Sequence, residues 1–540
     1  MSMNNLNTKE ILPKILICLS VVVIFAQALF FYNQKTLFYL DEAASFQLAN
    51  DYLVSFDDLK KVISSGDLEG SQVGIGTNSW YTNDEIMSKF TVSKEDQFNY
   101  LNTYLFQASD VHPPLYYFII RTVCSIFKSM DLKLVGFLIN ITFLLLSLYF
   151  VYKISMLLFK NEYCSIAAML YYGLSFDFVN NSTFYRMYAI LTFFMVLNLY
   201  LNIKWFKTGF EDNKRTLRRL CLALYFAMLT QYFALFFCLP IFVINLVLMK
   251  QKKVSFARYI KYCVITGVIY VVTWPFSIFH MLFTGRGGDV TGKLGGLRFI
   301  RNVWDFHYFL ERSLFAGSYK YLGAFALLLA GIIVYKLIGK CKKKEFKSWI
   351  TTEHFGVLIY LFVTAAVYFF IAANAAPWPT DRYVMPEMPL LSIIIIYGFV
   401  SVLSFVIKNK TVCGAILISF AAIVTLRWHS VLRPNYIYNF PEIHEYKELC
   451  TKYDAVLIND PNSICSPEVE LNYQHPNYFE TDYENLDSLE GNVKQDGEYI
   501  FYIADINETD DIVNKIIAKG YNLENLECEI DSYKIYKLNW

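Results

Sequence analysis

The sequence is poor in charged residues and lacks the motifs of several common functions. Only 18% of its 540 residues are charged, against about 25% in a typical soluble domain. The formal net charge is +1, so charge gives no reason to expect a nucleic-acid partner. No CxxC pair or His/Cys cluster has the spacing of a metal site, and no GxGxxG or Walker string occurs. The commonest metal-binding and nucleotide-binding motifs are therefore absent.

Cysteine provides no disulfide framework. Most of the 11 cysteines lie in hydrophobic segments, where a free thiol behaves as a small apolar side chain. Cys450, Cys465 and Cys528 lie in the polar C-terminal region and leave room for one bridge at most. The first apolar run has no small-residue cleavage site and is long enough to stay as an anchor, so it does not resemble a signal peptide.

Long hydrophobic runs dominate the sequence instead. Hydrophobic residues make up 55% of the chain, and the mean hydropathy is +0.35. Repeated apolar runs of about 20 residues predict a polytopic helical membrane protein. We expect about eleven crossings: Ile11–Tyr32, Leu134–Phe159, Tyr163–Phe178, Met187–Leu201, Leu220–Gln231, Phe233–Met249, Tyr262–Phe279, Tyr321–Ile338, Phe355–Ala373, Leu390–Ile407 and Val412–Trp428.

Basic residues between these runs predict the orientation. Lys and Arg are concentrated at residues 9–14, 153–160, 204–219, 250–261, 340–347 and 408–410, and the positive-inside rule assigns such loops to the cytoplasm. The run Pro113–Phe127 is too short to cross easily and carries Arg121, so we expect a helix at the outer interface. The chain is then a multi-pass plasma-membrane protein with a cytoplasmic N-terminus and outer segments at about 33–133 and 280–318.

The C-terminal region, residues 432–540, is polar and follows the predicted membrane domain, residues 1–431. Short β-like runs occur at Ala455–Ile458, Tyr499–Ile503 and Ser532–Tyr536, and a helical pattern at Asp511–Lys519. About 100 residues suffice for a small domain. We therefore predict a compact extracytoplasmic α/β domain.

Asp41 and Glu42 directly follow the first hydrophobic run. Two carboxylates at a membrane exit are costly to place and point to function: Asp41 is a candidate general base for an incoming hydroxyl. The structural alternative is an N-terminal helix cap formed by Asp41, with Glu42 at the positive helix end. Together with Asp110, these carboxylates are also weak candidates for a divalent-cation site; no cofactor is otherwise indicated.

Three further motifs are assigned to the outer side. The first is His112-Pro113-Pro114-Leu115-Tyr116-Tyr117, in which the prolines fix the backbone. His112 is then placed to bind a phosphate or a hydroxyl, or to orient Asp110. The alternative is a plain interfacial turn whose tyrosines lie at the level of the lipid headgroups. Arginine suits phosphate binding because it stays charged and offers a fork of donors. The other two motifs each contain an arginine, Arg186 with Tyr188 and Arg382 with Tyr383. Arg186 could instead be an arginine at a helix end that snorkels to the membrane surface. Arg382 could instead pair with Asp381 or Glu387.

Glycines cluster in the outer segment 280–318. Gly285, Gly287, Gly288, Gly292, Gly295 and Gly296 follow no phosphate-loop spacing. A mobile loop that closes over a substrate and a plain connector are both compatible with this pattern.

These motifs, in this order, resemble bacterial GT-C glycosyltransferases. The nearest set is the dolichyl-phosphate-mannose-protein mannosyltransferase-like family, which includes aminoarabinose transferases and RgtA/B/C/D-like enzymes. The likeness covers roughly the first 430 residues and depends on the Asp-Glu pair, the HPPLYY string, the Arg-x-Tyr string and the late Arg-Tyr. It implies transfer of a sugar, with inversion, from a polyprenyl-phosphate donor on the extracytoplasmic face.

The resemblance also implies roles for individual residues. Asp41 would be the catalytic base supported by Glu42, His112 would shape the cavity floor, and Arg186 would grip the donor phosphate with help from Arg382. In the family a His followed by an aromatic often precedes the sixth span; here the matching place holds Gln231, which can form hydrogen bonds but carries no charge. The partners would be the lipid-linked sugar, membrane lipids and an acceptor glycan, lipid or protein.

Two other functions compete with the transferase. A transporter or flippase would need charged or broken helices near the membrane midplane, often in repeated halves, and the polar residues here gather at the predicted outer rim. A non-catalytic scaffold would explain the C-terminal domain but not Asp41, His112 and Arg186.

Overall fold

The computed structural model describes residues 8–51, 78–282, 299–342, 352–437, 447–448, 451–461, 467–505, 509–530 and 533–538. These residues form two compact units. The helical unit comprises the described residues of Met1–Tyr32, Phe137–Thr183 and Met187–Asn435. The sheet unit comprises those of Asn33–Gly136, Phe184–Arg186 and Tyr436–Trp540. The sheet unit is thus assembled from three separated parts of the chain.

The N-terminal part contains one long helix followed by short elements. They are α1 (Thr8–Gln34), α2 (Leu40–Asn50), β1 (Ser79–Thr82), α3 (Asn83–Phe90), α4 (Tyr100–Ser109) and α5 (Leu115–Ile126). Helix α5 is the short helix predicted for Pro113–Phe127, and it begins after the two prolines because proline fits the start of a helix but not its interior.

The middle of the chain is helical throughout its described residues. Its helices are α6 (Leu132–Phe159), α7 (Glu162–Gly173), α8 (Phe176–Thr183), α9 (Tyr188–Lys207), α10 (Lys214–Thr230), α11 (Ala234–Gln251), α12 (Ala257–Thr273), α13 (Phe276–Leu282), α14 (Phe299–Phe315), α15 (Tyr319–Lys342), α16 (Glu353–Ala375), α17 (Met388–Val406) and α18 (Lys410–Val431). Two 3₁₀ turns, Asp381–Tyr383 and Met385–Glu387, precede α17.

Eight helices in the described residues are long and apolar enough to cross a membrane, or nine if one bent pair is counted. The bent pair is α12 and α13, which meet at 90°. A single straight span was expected there, at Tyr262–Phe279. Pro275 follows the end of α12, and proline disfavours a continuing helix because it lacks an amide donor and crowds the preceding turn. The total of about eleven crossings stays a prediction.

Two further expectations differ from the structure. The predicted span Tyr163–Phe178 is divided between α7 and α8, with the break at Leu174 and Ser175. The predicted outer loop 280–318 contains α14, an amphipathic helix that buries Phe306 and Leu314. Its regular apolar spacing explains the helix. The six glycines of this segment lie outside the described residues, as do Cys450 and Cys465.

Close backbone approach holds α7 and α18 together. A Cβ added to Gly414 of α18 would lie 2.3 Å from the Cβ of Tyr163 in the first turn of α7. Only glycine therefore fits at this crossing, since side-chain atoms cannot approach so closely. The buried Trp428, near the end of α18, donates from Nε1 to the carbonyl oxygen of Leu174 at 2.8 Å.

The C-terminal region forms the predicted α/β fold. Its elements are β2 (Asp454–Asn459), α19 (Pro467–Tyr473), β3 (Asn477–Asp482), a 3₁₀ turn (Leu486–Leu489), β4 (Tyr499–Ala504), α20 (Thr509–Ala518), β5 (Leu523–Ile530) and β6 (Tyr533–Leu538). Strand order is β1-β3-β2-β4-β6-β5. The pairs β3–β2 and β2–β4 are parallel, and the others are antiparallel.

The central strands are buried along almost their whole length. Continuous apolar runs such as Ala455–Ile458 suit parallel strands that are covered on both faces. Ile512 and Ile516 of α20 join Val456, Phe479 and Phe501 in the core. The three strands and the helix predicted from sequence are therefore confirmed, within one or two residues at most ends.

Strand β1 joins this sheet from the distant segment that follows α2. Its residues Ser79–Thr82 pair antiparallel with Glu480–Asn477 of β3. Trp80 packs against Phe479 with ring centroids 5.5 Å apart and donates from Nε1 to the carbonyl oxygen of Asn492. The outer segment and the C-terminal region therefore share one core.

Candidate active site

The Asp41-Glu42 motif forms the first turn of α2. Helix α2 begins at Leu40, so Asp41 is not the N-cap. Glu42 performs the capping contact instead: its carboxylate accepts from the amide of Tyr39 at 2.7 Å. Asp41 stays partly exposed, whereas Glu42 is fully buried. The two adjacent carboxylates thus occupy different environments.

Glu42 is paired with Lys35, a residue outside the four sequence motifs. Lys35 Nζ lies 2.9 Å from Glu42 Oε2 and donates to the carbonyl oxygen of Tyr436 at 2.6 Å. The amide of Tyr185 also donates to Glu42, at 2.7 Å. Burial raises the pKa of Glu42 and lowers the pKa of Lys35, while their mutual attraction acts in the opposite direction on each. Glu42 is therefore bound on several sides by protein donors.

Glu42 also brings the motif that contains Arg186 next to the Asp41-Glu42 motif. Because Glu42 accepts from the amide of Tyr185, the residue after it, Arg186, is placed against α2. Arg186 Nη1 donates to the carbonyl oxygen of Asp41 at 3.0 Å and to Ser45 Oγ at 2.6 Å. Its side chain is almost fully buried, with 5% of its surface exposed. The guanidinium is thus fixed beside the exposed Asp41.

His112 approaches the other nitrogen of this guanidinium. Its Nδ1 lies 2.7 Å from Asp110 Oδ2, and its Nε2 lies 3.5 Å from Arg186 Nη2. When Nδ1–H donates a hydrogen bond to Asp110, the Nε2 lone pair faces the arginine donor, so Asp110 selects the tautomer. Asp110, His112 and Arg186 therefore form a chain of contacts that ends at the backbone of Asp41.

The tyrosines of the HPPLYY string complete the wall. Tyr116 and Tyr117 are fully buried, and Arg186 Nη1 lies 3.4 Å from the Tyr117 hydroxyl, which accepts from it. Burial raises the pKa of the Tyr117 hydroxyl, against the opposing effect of Arg186. Both tyrosines therefore remain neutral at physiological pH.

Arg121 holds the far end of α2. This fully buried side chain donates to the carbonyl oxygens of Ala49 and Asn50 and is ion-paired with Asp96. The last carbonyls of a helix have no partner within it, and a cation is favourable there. Helix α2 is thus held at its start by Glu42 and at its end by Arg121.

The C-terminal region holds the segment that precedes Asp41. Asn472 of α19 donates from Nδ2 to the carbonyl oxygen of Phe38 at 2.9 Å and accepts from the Phe38 amide at 2.7 Å. The amide of Thr36 donates to the carbonyl oxygen of Ile437. The rings of Tyr436 and Phe184 stack at 3.9 Å. Asn472, which lies 434 positions from Phe38, therefore helps to hold the segment that precedes the candidate base.

The remaining predicted site residues belong to the helical unit. Tyr188 begins α9 and is buried, and Gln231 is the buried C-cap of α10. Arg382 lies over the ring of Tyr383 at 5.4 Å, and the Tyr383 carbonyl oxygen accepts from Tyr368 at 2.9 Å. Glu387, suggested above as a partner of Arg382, is fully buried and forms no side-chain hydrogen bond within the described residues.

Next to Gln231, a neighbouring tyrosine forms a small polar cluster. The Tyr232 hydroxyl lies 2.8 Å from His280 Nδ1 and accepts from Trp274 Nε1 at 2.9 Å. His280 is 3% exposed. A histidine therefore does lie near this position, although it comes from α13 and not from the turn itself.

A cation site made of the three carboxylates does not fit this geometry. Glu42 is already bound by Lys35 and two amides, and Asp110 faces His112. Among the residues that the structure describes, no group of three or more His, Cys, Asp or Glu side chains could hold a metal ion.

Lys35, Ser45, Arg121 and Asn472 are the contributors that sequence reasoning missed. Lys35 carried a usable signal, because a cation seven residues before Glu42 at a membrane exit needs a partner. Ser45 lies one helical turn after Asp41, where it shares a face with that residue. Nothing in the sequence connects Asn472 to Phe38, 434 residues earlier.

Comparisons with known proteins agree with this architecture. Residues 111–279 match the family model of dolichyl-phosphate-mannose-protein mannosyltransferase. The fold is similar to that of ArnT from Cupriavidus metallidurans, solved in the apo state, with a TM-score of 0.52 and 11% identity over 96% of this chain and 97% of that chain. None of the curated proteins compared with the sequence matches it significantly.

The family model matches only part of the chain. The structural match extends over nearly all of the chain and concerns its fold. Together they support a membrane glycosyltransferase that uses a lipid-linked donor. With its apolar helices and small sheet domain, the chain is similar in fold to ArnT, a GT-C protein, and its residues 111–279 are similar to the mannosyltransferase family.

Proposed function

We propose that the protein transfers a sugar, with inversion, from a polyprenyl-phosphate donor to an acceptor hydroxyl on the extracytoplasmic face of the plasma membrane. The acceptor is a glycan, lipid or protein of the cell envelope. The observation that carries the proposal is the contact of Arg186 with the Asp41 backbone at 3.0 Å and with His112 at 3.5 Å. A carboxylate and a phosphate-binding guanidinium are thereby held side by side.

Asp41 acts as the general base. The acceptor O–H proton passes to its carboxylate as the acceptor oxygen forms a bond to the anomeric carbon. The bond between that carbon and the phosphate oxygen breaks through a transition state of oxocarbenium character. The partly exposed position of Asp41 supports this role, since a base must reach substrate.

Arg186 stabilises the leaving lipid phosphate. The electron pair of the broken bond stays on the phosphate oxygen, and a fixed donor fork stabilises that charge better than mobile water does. His112, oriented by Asp110, adds a second polar group to this side. For Arg382, Tyr383, Tyr188 and Gln231, which belong to the helical unit, a role in substrate binding stays a prediction from the sequence.

Glu42 positions these groups and does not react. Its carboxylate binds Lys35, the Tyr39 amide and the Tyr185 amide. It therefore connects the segment that carries Asp41 with the segment that carries Arg186. We assign to it the support of the catalytic base and no proton transfer of its own.

The test is sugar transfer from radiolabelled polyprenyl-phosphate donors in membranes that contain the protein. We expect Asp41→Asn to lower turnover about 10²–10⁴-fold, the usual contribution of a general base. The matched control is Asp84→Asn, an exposed first-turn carboxylate of α3 in the same unit. Unchanged turnover in Asp41→Asn would show that another residue is the general base. Transport of the donor without sugar transfer would favour a flippase.

A further inference from the structure

A cavity of about 150 Å³ lies among α9, α10, α11 and α12 of the helical unit, and the proposed mechanism does not use it. Three free cysteines line it: Cys221 of α10, Cys238 of α11 and Cys263 of α12. The other lining residues are mostly apolar. We call it the thiol cavity.

Two of these thiols face each other. The Cys221 thiol interacts with the Cys263 thiol and with the Thr266 hydroxyl. Two helical turns further on, the Tyr270 hydroxyl donates to the carbonyl oxygen of Met228 at 3.4 Å. Both contacts join residues 42 positions apart. Helices α10 and α12 therefore run parallel and in register from the thiols to this hydrogen bond.

This register places the two cysteines within reach of a disulfide bond. The axes of packed helices lie about 8–10 Å apart, and each Cα lies about 2.3 Å from its axis. Facing Cα atoms are then about 3.5–5.5 Å apart, which overlaps the range of about 4.4–6.8 Å that disulfides span. A bond between Cys221 and Cys263 therefore needs side-chain rotation and little movement of the helices.

The thiol cavity is accessible from the side on which lipid is expected. Leu235 and Leu239 of α11 line it and are 40% and 49% exposed at the surface of the helical unit. Helix α11 is long and apolar enough to cross a membrane. Polar molecules enter apolar surroundings at a cost. A lipid-soluble reagent therefore reaches the partly exposed Cys221 and Cys263 more readily than a polar one.

A second pair of thiols provides a contrast. Cys164 of α7 interacts with Cys413 of α18, but the two residues are only 2% and 3% exposed. They lie at the crossing where Gly414 closely approaches Tyr163. Both pairs thus bring two thiols together, and they differ in access.

We propose that Cys221 and Cys263 form a redox site that a lipid-soluble hydroperoxide oxidises to a disulfide between α10 and α12. One thiol attacks the peroxide, whose O–O bond breaks to give an alcohol and a cysteine sulfenic acid. The second sulfur displaces the hydroxyl of the sulfenic acid, which leaves as water with the proton of that thiol. The hydroperoxide gains two electrons, and each sulfur loses one.

The predicted location suits a reversible site. The basic stretches 204–219 and 250–261 adjoin the starts of α10 and α12 and predict that these starts are cytoplasmic. Cytosolic thiol systems keep cysteines reduced, so disulfides that form there are usually transient or redox-sensing. This redox site is independent of sugar transfer, and its test needs no transferase activity.

The first experiment follows the thiols of the full chain in phosphatidylcholine nanodiscs. The reduced protein is exposed to equal concentrations of cumene hydroperoxide or hydrogen peroxide. It is then denatured, its thiols are alkylated, and linked peptides are quantified by mass spectrometry. We expect a Cys221–Cys263 disulfide that forms several-fold faster with cumene hydroperoxide and is reversed by dithiothreitol, while Cys164 and Cys413 remain thiols.

Three results would overturn the proposal. They are the absence of a Cys221–Cys263 disulfide, equal rates of its formation with the two peroxides, and a Cys164–Cys413 disulfide that forms equally fast. A disulfide from Cys238 to either partner in place of the expected one would also contradict the assignment.

Cysteine variants test the two chemical steps. Cys221→Ser and Cys263→Ser each leave one thiol without its partner, so no disulfide should form. Dimedone should trap a sulfenic acid at the remaining thiol in at least one of them, which identifies the attacking thiol. Cys413→Ser is the matched control and should leave the Cys221–Cys263 disulfide unchanged. Failure to trap a sulfenic acid in both variants would contradict the mechanism.

A final pair of variants tests entry from the lipid. Leu239→Trp narrows the thiol cavity on its exposed side and should slow oxidation by cumene hydroperoxide several-fold. Leu222→Trp is the matched control, because Leu222 is 54% exposed on α10 and does not line the cavity. Equal rates in Leu239→Trp and the unmodified chain, or equal slowing in both variants, would overturn this entry route.

Discussion

The two arginines singled out by the sequence, one in each unit, are held in different ways. In the sheet unit, Arg186 is 5% exposed and donates to a backbone carbonyl, a serine hydroxyl and a tyrosine hydroxyl. In the helical unit, Arg382 is half-buried over the ring of Tyr383. A guanidinium fixed by several oxygen acceptors keeps one orientation, which is what stabilising a developing charge requires. On this ground we propose Arg186 of the sheet unit as the principal phosphate ligand.

Substituting each arginine in turn tests this comparison most strongly. We expect Arg186→Gln to lower kcat about 10²–10³-fold, the usual loss when a preorganised donor is removed. Arg382→Gln should lower kcat far less and mainly raise the donor KM. Steady-state transfer kinetics on both variants provide the measurement. Equal losses in kcat would show that the two arginines share the role.

The buried ion pair of the sheet unit should show the next largest effect. Removing one partner of a buried pair leaves an uncompensated charge and costs about 3–5 kcal/mol. Lys35→Met should therefore destabilise the protein strongly, because the Lys35 and Glu42 side chains are both almost fully buried.

A double variant separates charge from packing at this pair. Lys35→Met with Glu42→Gln removes both charges and should recover most of the stability lost in Lys35→Met alone. Thermal unfolding of the purified chain in nanodiscs provides the comparison. If the double variant is as unstable as the single one, the pair acts through packing and not through charge.

Asn472 tests whether the C-terminal region contributes to catalysis. Asn472→Ala removes both hydrogen bonds to Phe38, and unsatisfied buried backbone groups cost about 1–3 kcal/mol. We expect kcat to fall about tenfold and the donor KM to stay unchanged, because only the candidate base, Asp41, is displaced. Asn459→Ala is the control: it removes a buried hydrogen bond to Tyr533 in the same region. Equal losses of activity in both variants would show that Asn472 contributes to stability and not specifically to catalysis.

The smallest expected effect concerns a carboxyl pair of the sheet unit, Glu470 on α19 and Glu480 on β3. Burial and the neighbouring Glu470 raise the pKa of Glu480 well above its usual 4.5. The folded protein therefore binds a proton that the unfolded chain releases, and stability falls as pH rises above about 4.5 toward the folded-state pKa. Glu480→Gln should flatten this decline and stabilise the domain at pH 7. Thermal unfolding from pH 5 to 8 would show this, and an unchanged slope would contradict it.

Much of the helical unit could be read from the sequence. Hydropathy predicts membrane helices well because a backbone in lipid must satisfy its own hydrogen bonds. The ends of α9, α16 and α18 agree with the predicted spans to within a few residues, apart from the longer C-terminus of α9. The bend at Pro275 and the helix α14 were missed, because a window average hides a local break and an amphipathic face.

The sequence by itself determined the motifs: Asp41, His112 and Arg186 were identified from residue chemistry and order, and the structure places them in one contact chain. Only the tertiary structure decided that Glu42 binds Lys35, that β1 joins the C-terminal sheet, and that Asn472 holds Phe38. These contacts join residues through side-chain geometry or across hundreds of positions. Local patterns carry no information about such pairings, because they form only when the chain has packed.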